Sequence, residues 1–69
     1  MRNFEIWSEG NNPGEADYYG EGYGSTFQEA CENFAKNDKD FVRCFDLNNL
    51  TFWGRKLFDN EKDAKEYNT

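Results

Sequence analysis

One segment near the middle of the chain has the periodicity of an amphipathic helix. Its apolar residues recur at i, i+3, i+4, i+7 and i+8, the spacing of a stripe along one helix face: they are Phe27, Ala30, Cys31, Phe34 and Ala35. Thr26 and Glu29 match a capping box, in which the Thr26 hydroxyl accepts from the N–H of Glu29 and the carboxylate accepts from the N–H of Thr26. The pattern predicts a helix that begins at Thr26, ends in residues 37–40 and buries Phe27, Cys31 and Phe34 against a sheet.

Two segments before this helix alternate as half-buried strands do. Residues 3–9 and 16–23 alternate between apolar and polar, and turn-forming residues at 11–14 separate them, which predicts a β-hairpin. If Glu9 pairs with Glu15, one face of the hairpin carries Phe4, Ile6 and Tyr18. The opposite face then carries Glu5, Trp7, Glu9, Glu15, Asp17, Tyr19, Glu21 and Tyr23.

The second half of the chain predicts two more strands and a second helix. Residues 41–45 are typical of a strand, Asn48 and Asn49 of a turn, and residues 50–58 of a fourth strand with Phe52 and Trp53 on opposite faces. Asp59 and Asn60 can cap a short helix over residues 61–67. The predicted fold class is α+β with the order ββαββα: a four-stranded antiparallel sheet, one main helix on one face and a short C-terminal helix, in a single domain spanning residues 1–69.

Aromatic side chains make a core feasible in so short a chain. A domain of this size buries only about 60% of its unfolded surface, so each buried side chain must cover a large area. Phe, Trp and Tyr form 19% of the residues although only 36% are hydrophobic, and each ring buries roughly 150–250 Å². Disordered chains are poor in aromatics, so the composition predicts a folded protein despite a mean hydropathy of −1.13.

The net charge is confined to the first half of the chain. Residues 1–32 hold seven acidic side chains and one basic one, which gives the whole net charge of −6, whereas residues 33–69 hold seven of each. Such a field repels nucleic acid and anionic lipid and attracts basic protein surfaces. The sequence therefore predicts a partner with a basic protein surface, and it predicts neither direct nucleic-acid binding nor membrane binding.

No leader segment or long apolar run is evident, and two cysteines do not make a disulfide framework. These features predict a location in the cytoplasm.

The residues that most enzymes need are missing from the sequence. There is no histidine, the usual general base near neutral pH. Cys31 lies on the apolar stripe of the predicted helix with no cation near it in sequence, as expected of a core residue. Acids alternate over residues 59–63, but Ala64 occupies the position where a calcium loop requires glycine. We therefore predict no catalytic residues, no metal and no cofactor, and a protein that is not an enzyme.

The segment Gly20–Gly24 allows two interpretations. Glycines before a helix N-terminus can receive a phosphate, but Glu21 has the wrong charge for that role. The favoured interpretation is a strand that glycine bends and bulges so that its aromatic neighbours can pack.

The predicted outer face of the hairpin interleaves aromatic rings with carboxylates. Carboxylates at i and i+2 of a strand stand about 6.8 Å apart, roughly two phosphate rises of a single strand, so the face could mimic nucleic acid. We predict the eight residues of this face as the partner-binding site, with Trp7 and Tyr19 as anchors. The alternative is that Trp7 belongs to a second small cluster, packed on Trp53 or under the C-terminal helix.

Three segments resemble a known family. They are residues 4–10 (FEIWSEG), residues 26–31 (TFQEAC), and residues 50–55 (LTFWGR) followed by residues 58–61 (FDNE). The chain resembles a family of short uncharacterised proteins encoded by phages and prophages of Gram-positive bacteria, and this resemblance implies a role in the host cell cytoplasm. It brings no catalytic residues with it.

Composition and resemblance together predict a non-enzymatic, acidic protein-binding module of a phage or mobile element. The expected role is inhibition of a basic, nucleic-acid-binding host defence protein, such as an anti-CRISPR acting by nucleic-acid mimicry. The alternative is a homo-oligomeric structural or regulatory accessory protein, for instance a homodimer, without an inhibitory target. An enzyme that uses paired carboxylates is the third hypothesis.

Overall fold

The computed structural model describes residues 1–67, which form five strands and three helices. The strands are β1 (Arg2–Glu9), β2 (Ala16–Gly24), β3 (Phe45–Asp46), β4 (Thr51–Phe52) and β5 (Arg55–Phe58). The helices are α1 (Phe27–Lys36), α2 (Lys39–Cys44) and α3 (Glu61–Tyr67). The α+β class is confirmed. The predicted order ββαββα is wrong, because the order is ββααβββα.

The strands form one antiparallel sheet in the order β2-β1-β5-β4-β3. The long hairpin β1–β2 makes one side of the sheet, and the short strands make the other. The sheet curls into a half-barrel. It therefore contains five strands rather than the four that were predicted.

A β-bulge sets which side chains of β2 face the core. Ile6 pairs with Gly20, but the next residue of β1, Trp7, pairs with Tyr18. Tyr19 is therefore an extra residue without a partner on β1. Because one extra residue reverses the alternation of a strand, Tyr18 faces outward and Tyr19 faces the core. The predicted pairing of Glu9 with Glu15, and with it the placement of both tyrosines, is wrong.

Helix α1 packs on the inner face of the hairpin, as predicted. Thr26 is its N-cap and accepts from the N–H of Glu29 at 3.1 Å. The Glu29 carboxylate accepts from the N–H of Ser25 at 2.8 Å rather than from Thr26. A Cβ at Gly22 would lie 2.3 Å from the carbonyl oxygen of Ala30. The glycines of β2 therefore allow close approach of the helix, in agreement with the structural interpretation of this segment.

Residues 39–44 form a helix where a strand was predicted. Asp38 caps it by accepting from the N–H groups of Asp40 and Phe41, each at 3.0 Å. Phe41 and the C-cap residue Phe45 are four residues apart, so both lie on the same side of the helix. Five residues with several apolar side chains fit both periodicities, and the capping aspartate decides between them.

The predicted fourth strand is two strands with a tight turn between them. Phe52 pairs with Arg55, so Trp53 and Gly54 are the two residues of the hairpin loop. Both have positive φ, 57° and 74°, as a type I′ turn requires. Trp53 is therefore at the tip of a turn rather than on one face of a strand. Leu47 to Leu50 form the preceding turn, which includes the predicted Asn48 and Asn49.

The core lies between α1, α2 and the sheet. Ile6, Cys31, Ala35, Phe41 and Leu57 are buried in one cluster. Phe41 is the centre of its aromatic part, stacked on Phe52 with 4.7 Å between ring centroids and edge-on to Phe34 at 4.9 Å. Of the three residues predicted to bury on α1, Cys31 is fully buried, whereas Phe27 and Phe34 are half-buried at its margin.

The short helix α3 is confirmed and is capped as predicted. Asn60 accepts from the N–H of Asp63 at 2.8 Å. The helix contacts β1, β5 and β2, and its Tyr67 ring lies 5.3 Å from that of Phe58. Phe58 pairs with Trp7 across β1 and β5. Because paired residues share a face of the sheet, α3 lies on the face that carries Trp7.

Candidate protein-binding surface

The bulge divides the eight predicted site residues into two groups. Five of them stay on the outward side of the hairpin: Glu5, Trp7, Glu9, Glu21 and Tyr23. The other three, Glu15, Asp17 and Tyr19, lie elsewhere. Tyr18, which was predicted to be in the core, joins the outward group and is 52% exposed. We call this outward group the acidic face: it consists of Glu5, Trp7, Glu9, Tyr18, Glu21 and Tyr23.

Two carboxylates oppose each other at the centre of the acidic face. Glu5 pairs with Glu21 across β1 and β2, and both side chains are exposed. Directly opposite side chains have Cβ atoms about 4.5–5.5 Å apart, and like charges at that distance destabilise a sheet. The hairpin would be more stable with a cation at either position. The pair thus concentrates negative charge at a cost to the fold.

Trp7 and Tyr18 form an aromatic pair beside these carboxylates. Their ring centroids are 4.8 Å apart, and the indole Nε1–H of Trp7 donates to the Glu5 carboxylate at 2.8 Å. Trp7 is half-buried, since Phe58 is its neighbour on β5, while Tyr18 is exposed. An aromatic platform with a fixed carboxylate is an arrangement that can contact a Lys or Arg side chain through both cation–π attraction and charge.

The Tyr18 hydroxyl reports the local negative potential. Partial desolvation and then the carboxylates of Glu21 and Glu5 raise its pKa above the ordinary value for tyrosine. Both carboxylates therefore act on the same phenol. The Tyr18 hydroxyl is therefore neutral near pH 7 and can donate a hydrogen bond.

The remaining three predicted residues serve the structure. Tyr19 packs edge-on to Phe41 and Phe52 at 5.7 and 5.1 Å, and its hydroxyl hydrogen-bonds Ser8 at 2.7 Å. Asp17 forms an ion pair with Arg55 at 3.2 Å. Glu15 accepts from Asn12 in the hairpin loop. Tyr19 is therefore not an anchor of the outer surface, and the prediction for it is wrong.

Sequence reasoning missed Tyr18 because it assumed unbroken alternation along β2. Gly20 directly follows the extra residue, and an isolated glycine in a strand is a known signal of a bulge. The glycine indicated that a bulge exists. It did not indicate on which side of the two tyrosines the alternation reverses.

A second exposed aromatic residue lies away from the acidic face. Trp53, at the tip of the β4–β5 hairpin, is 71% exposed. Two open cavities flank it. One of about 270 Å³ is lined by Tyr19, Phe52, Trp53 and Arg55, and one of about 500 Å³ is lined by Asp40, Arg43, Cys44, Phe52 and Trp53. Within residues 1–67, the Trp7 ring contacts the ring of Tyr18 and makes no ring contact with Trp53.

The buried thiol does not have the properties of a nucleophile. Cys31 is fully buried, and burial first and Asp59 second raise its pKa to about 12. It is a neutral thiol over the physiological range, in keeping with a core residue. Residues 1–67 contain no group of three or more Cys, Asp or Glu side chains placed to hold a metal ion.

No helix in the described part of the chain has the length and apolar composition that a membrane span needs.

The chain matches no family model, no curated protein and no solved structure.

Proposed function

We propose that this protein is a non-enzymatic binding module that uses the acidic face to dock on a basic protein surface. The observation that supports this most directly is the opposed pair Glu5 and Glu21 beside the Trp7–Tyr18 rings. The fold would be more stable without two like charges there, so the pair is better explained by a partner. Aromatic side chains supply the contact area, and the carboxylates steer a basic partner toward it.

We further propose that the partner is a protein whose basic surface normally binds nucleic acid, and that the module originates from a phage or other mobile element and inhibits a host defence protein. The support is the sign and spacing of the charges, since surfaces that bind phosphate are rich in Lys and Arg. An anti-CRISPR protein is one example of this class.

The proposal is tested by capture of partners from host lysate with three baits. The first is the wild-type protein, and the second carries Glu5→Lys and Glu21→Lys. The third carries Glu32→Lys on α1 and Asp59→Lys after β5 and has the same net charge as the second, but its substitutions lie outside the acidic face. Quantitative mass spectrometry should find basic, nucleic-acid-binding proteins that the first and third baits retain and the second loses. The same proteins on all three baits would contradict the proposal.

Salt and DNA competition then distinguish steering from mimicry. The rate at which the captured partner associates with this protein should fall markedly between low and high salt, because the encounter is electrostatic. If the acidic face mimics nucleic acid, duplex DNA should compete for the partner. An association rate that does not change with salt would remove the acidic face from the mechanism.

A homo-oligomer is the second candidate, and one feature favours it. β2 is at the edge of the sheet, and β1 is the only strand within residues 1–67 that pairs with it. A free edge can pair with the same strand of a second copy. Sedimentation velocity over a range of concentrations tests this, since a dimer through β2 should form in the wild type and be lost in Glu21→Pro, where the N–H that points away from β1 is removed.

A further inference from the structure

Trp53 has a backbone conformation that its side chain disfavours. It occupies the first position of the type I′ turn with φ of 57°. This left-handed region suits glycine and asparagine, and a bulky residue there is an outlier. Asn-Gly is the usual pair at these two positions, whereas this chain has Trp-Gly.

A comparison with Leu50 shows that packing does not compensate this strain. Leu50 also has positive φ, 55°, but its side chain packs against the core cluster, so the burial of an apolar side chain offsets the strain. Trp53 is 71% exposed. Strain that the fold does not need is commonly found at functional sites.

The surroundings of Trp53 indicate what it binds. The larger cavity has a mostly apolar lining, with the Phe52 and Trp53 rings and Cys44, and its cation is the guanidinium of Arg43. Its volume of about 500 Å³ is in the range of small-ligand sites, which also combine apolar walls with a few polar groups. Asp40 also lines this cavity, as its one acidic residue. Arg55 lines the smaller cavity beside Trp53 and is held by Asp17.

We propose that Trp53 and Arg43 form a second binding site, which takes a planar apolar ring that carries an anionic group. The ring stacks on the indole of Trp53, and the anionic group accepts from the guanidinium of Arg43. This site goes beyond the proposed function, because the acidic face repels anions and can take no part in it. The ring and the anion come either from a free small ligand or from an aromatic side chain beside a carboxylate in a protein segment.

The test uses two probes of this chemistry. Anilinonaphthalene sulfonate represents the free ligand, and the peptide acetyl-Asp-Phe-Asp-amide represents the protein segment. Binding is followed by probe fluorescence for the first and by NMR for both. The protein has two tryptophans, so its spectrum contains two indole N–H signals, and the signal lost in Trp53→Asn identifies Trp53. The probe should shift that signal and leave the Trp7 signal in place.

Trp53→Asn should have two opposite effects. It creates the Asn-Gly turn, so the melting temperature should rise by on the order of 4 °C, and it removes the stacking surface, so probe affinity should fall roughly tenfold or more. Arg43→Gln should weaken binding of both probes about tenfold through loss of the charged donor. Lys62→Gln removes the same charge from the exposed side of α3 and should leave binding unchanged.

Several results would overturn this site. They are equal probe affinity of wild type and Trp53→Asn, a fall in the melting temperature of Trp53→Asn, equal weakening by Arg43→Gln and Lys62→Gln, or no binding of either probe up to about 1 mM. Binding of only one probe assigns the source of the ligand. Partner capture by the bait with Glu5→Lys and Glu21→Lys does not depend on Trp53 or Arg43. Either proposal can therefore fail without the other.

Discussion

The two faces of the β1–β2 hairpin differ in how closely other groups approach them. On the inner face, α1 is so near that a Cβ at Gly22 would lie 2.3 Å from a backbone oxygen. On the outer face, one residue earlier, Glu21 extends into solvent opposite Glu5. The inner face therefore limits what can replace each residue, whereas the outer face carries residues that the fold does not require. Stability and binding are separable in this strand, and substitutions can test each alone.

The largest effect is expected from removal of the ring at the centre of the inner side. Phe41→Ala should destabilise the protein by about 3–5 kcal/mol, because Phe41 is 3% exposed and contacts four other aromatic rings. So small a domain has little more stability than that. Urea titration followed by circular dichroism measures the loss. A change below about 1 kcal/mol would show that α2 is not part of the core.

Adjacent alanine substitutions in β2 compare the two faces directly. Gly22→Ala should destabilise by roughly 1–3 kcal/mol, since the added methyl must displace the backbone of α1. Glu21→Ala, one residue away on the open face, should be neutral or slightly stabilising because it removes a like-charge contact. Thermal unfolding of both variants gives the comparison. Equal losses would mean that the two faces do not differ as described.

Alkaline pH should weaken the inner side through Cys31. Its pKa is raised to about 12 from an ordinary value of 9.0, so the folded state keeps a proton that the unfolded state releases. The contribution of this group to stability is complete below pH 9 and falls as pH rises from 9 toward 12, by roughly 1.4 kcal/mol per pH unit. Urea titrations at pH 8 and pH 10 measure it. Cys31→Ala should reduce this pH dependence, and an unchanged slope would contradict a buried neutral thiol.

The smallest effect is expected on the outer face, and it has the opposite sign. Glu21→Lys places a cation opposite Glu5 and should stabilise the hairpin by on the order of 0.5 kcal/mol, while it weakens binding to a basic partner. Glu32→Lys on α1, on the inner side of the sheet, makes the same change of charge and should do neither. The melting temperature and partner affinity of both variants test this. A Glu21→Lys variant that is both more stable and fully competent to bind would separate the opposed carboxylates from function.

The elements with long, regular patterns could be predicted from the sequence. Helix α1 with its Thr26 cap, the β1–β2 hairpin and α3 with its Asn60 cap all follow from periodicity and capping over seven residues or more. Residues 41–45 could not be assigned in this way, because five residues fit a strand and a helix equally well, and the Asp38 cap was overlooked.

The candidate site was predicted in part, for a related reason. The negative sign of the outer face and most of its residues follow from alternation and charge. The exchange of Tyr18 and Tyr19 depends on the position of one extra residue, which pairing with β1 determines. The exposed Trp53 was missed because tryptophan is not a turn-forming residue, and only the backbone shows that it occupies a turn.

The bulge at Tyr19 also determines where negative charge lies on the molecule. Asp17 is on the core side of β2, where it forms the ion pair with Arg55. If the pairing of Arg2 to Ile6 continued along β1 without the bulge, Asp17 would lie opposite Glu9 and add another carboxylate to the outward side. The bulge thus keeps an acid in a structural ion pair on the core side, although the acidic composition of the chain would be the same in either register. The position of one unpaired residue, as much as the identity of its neighbours, therefore sets the charge pattern on each side of this sheet.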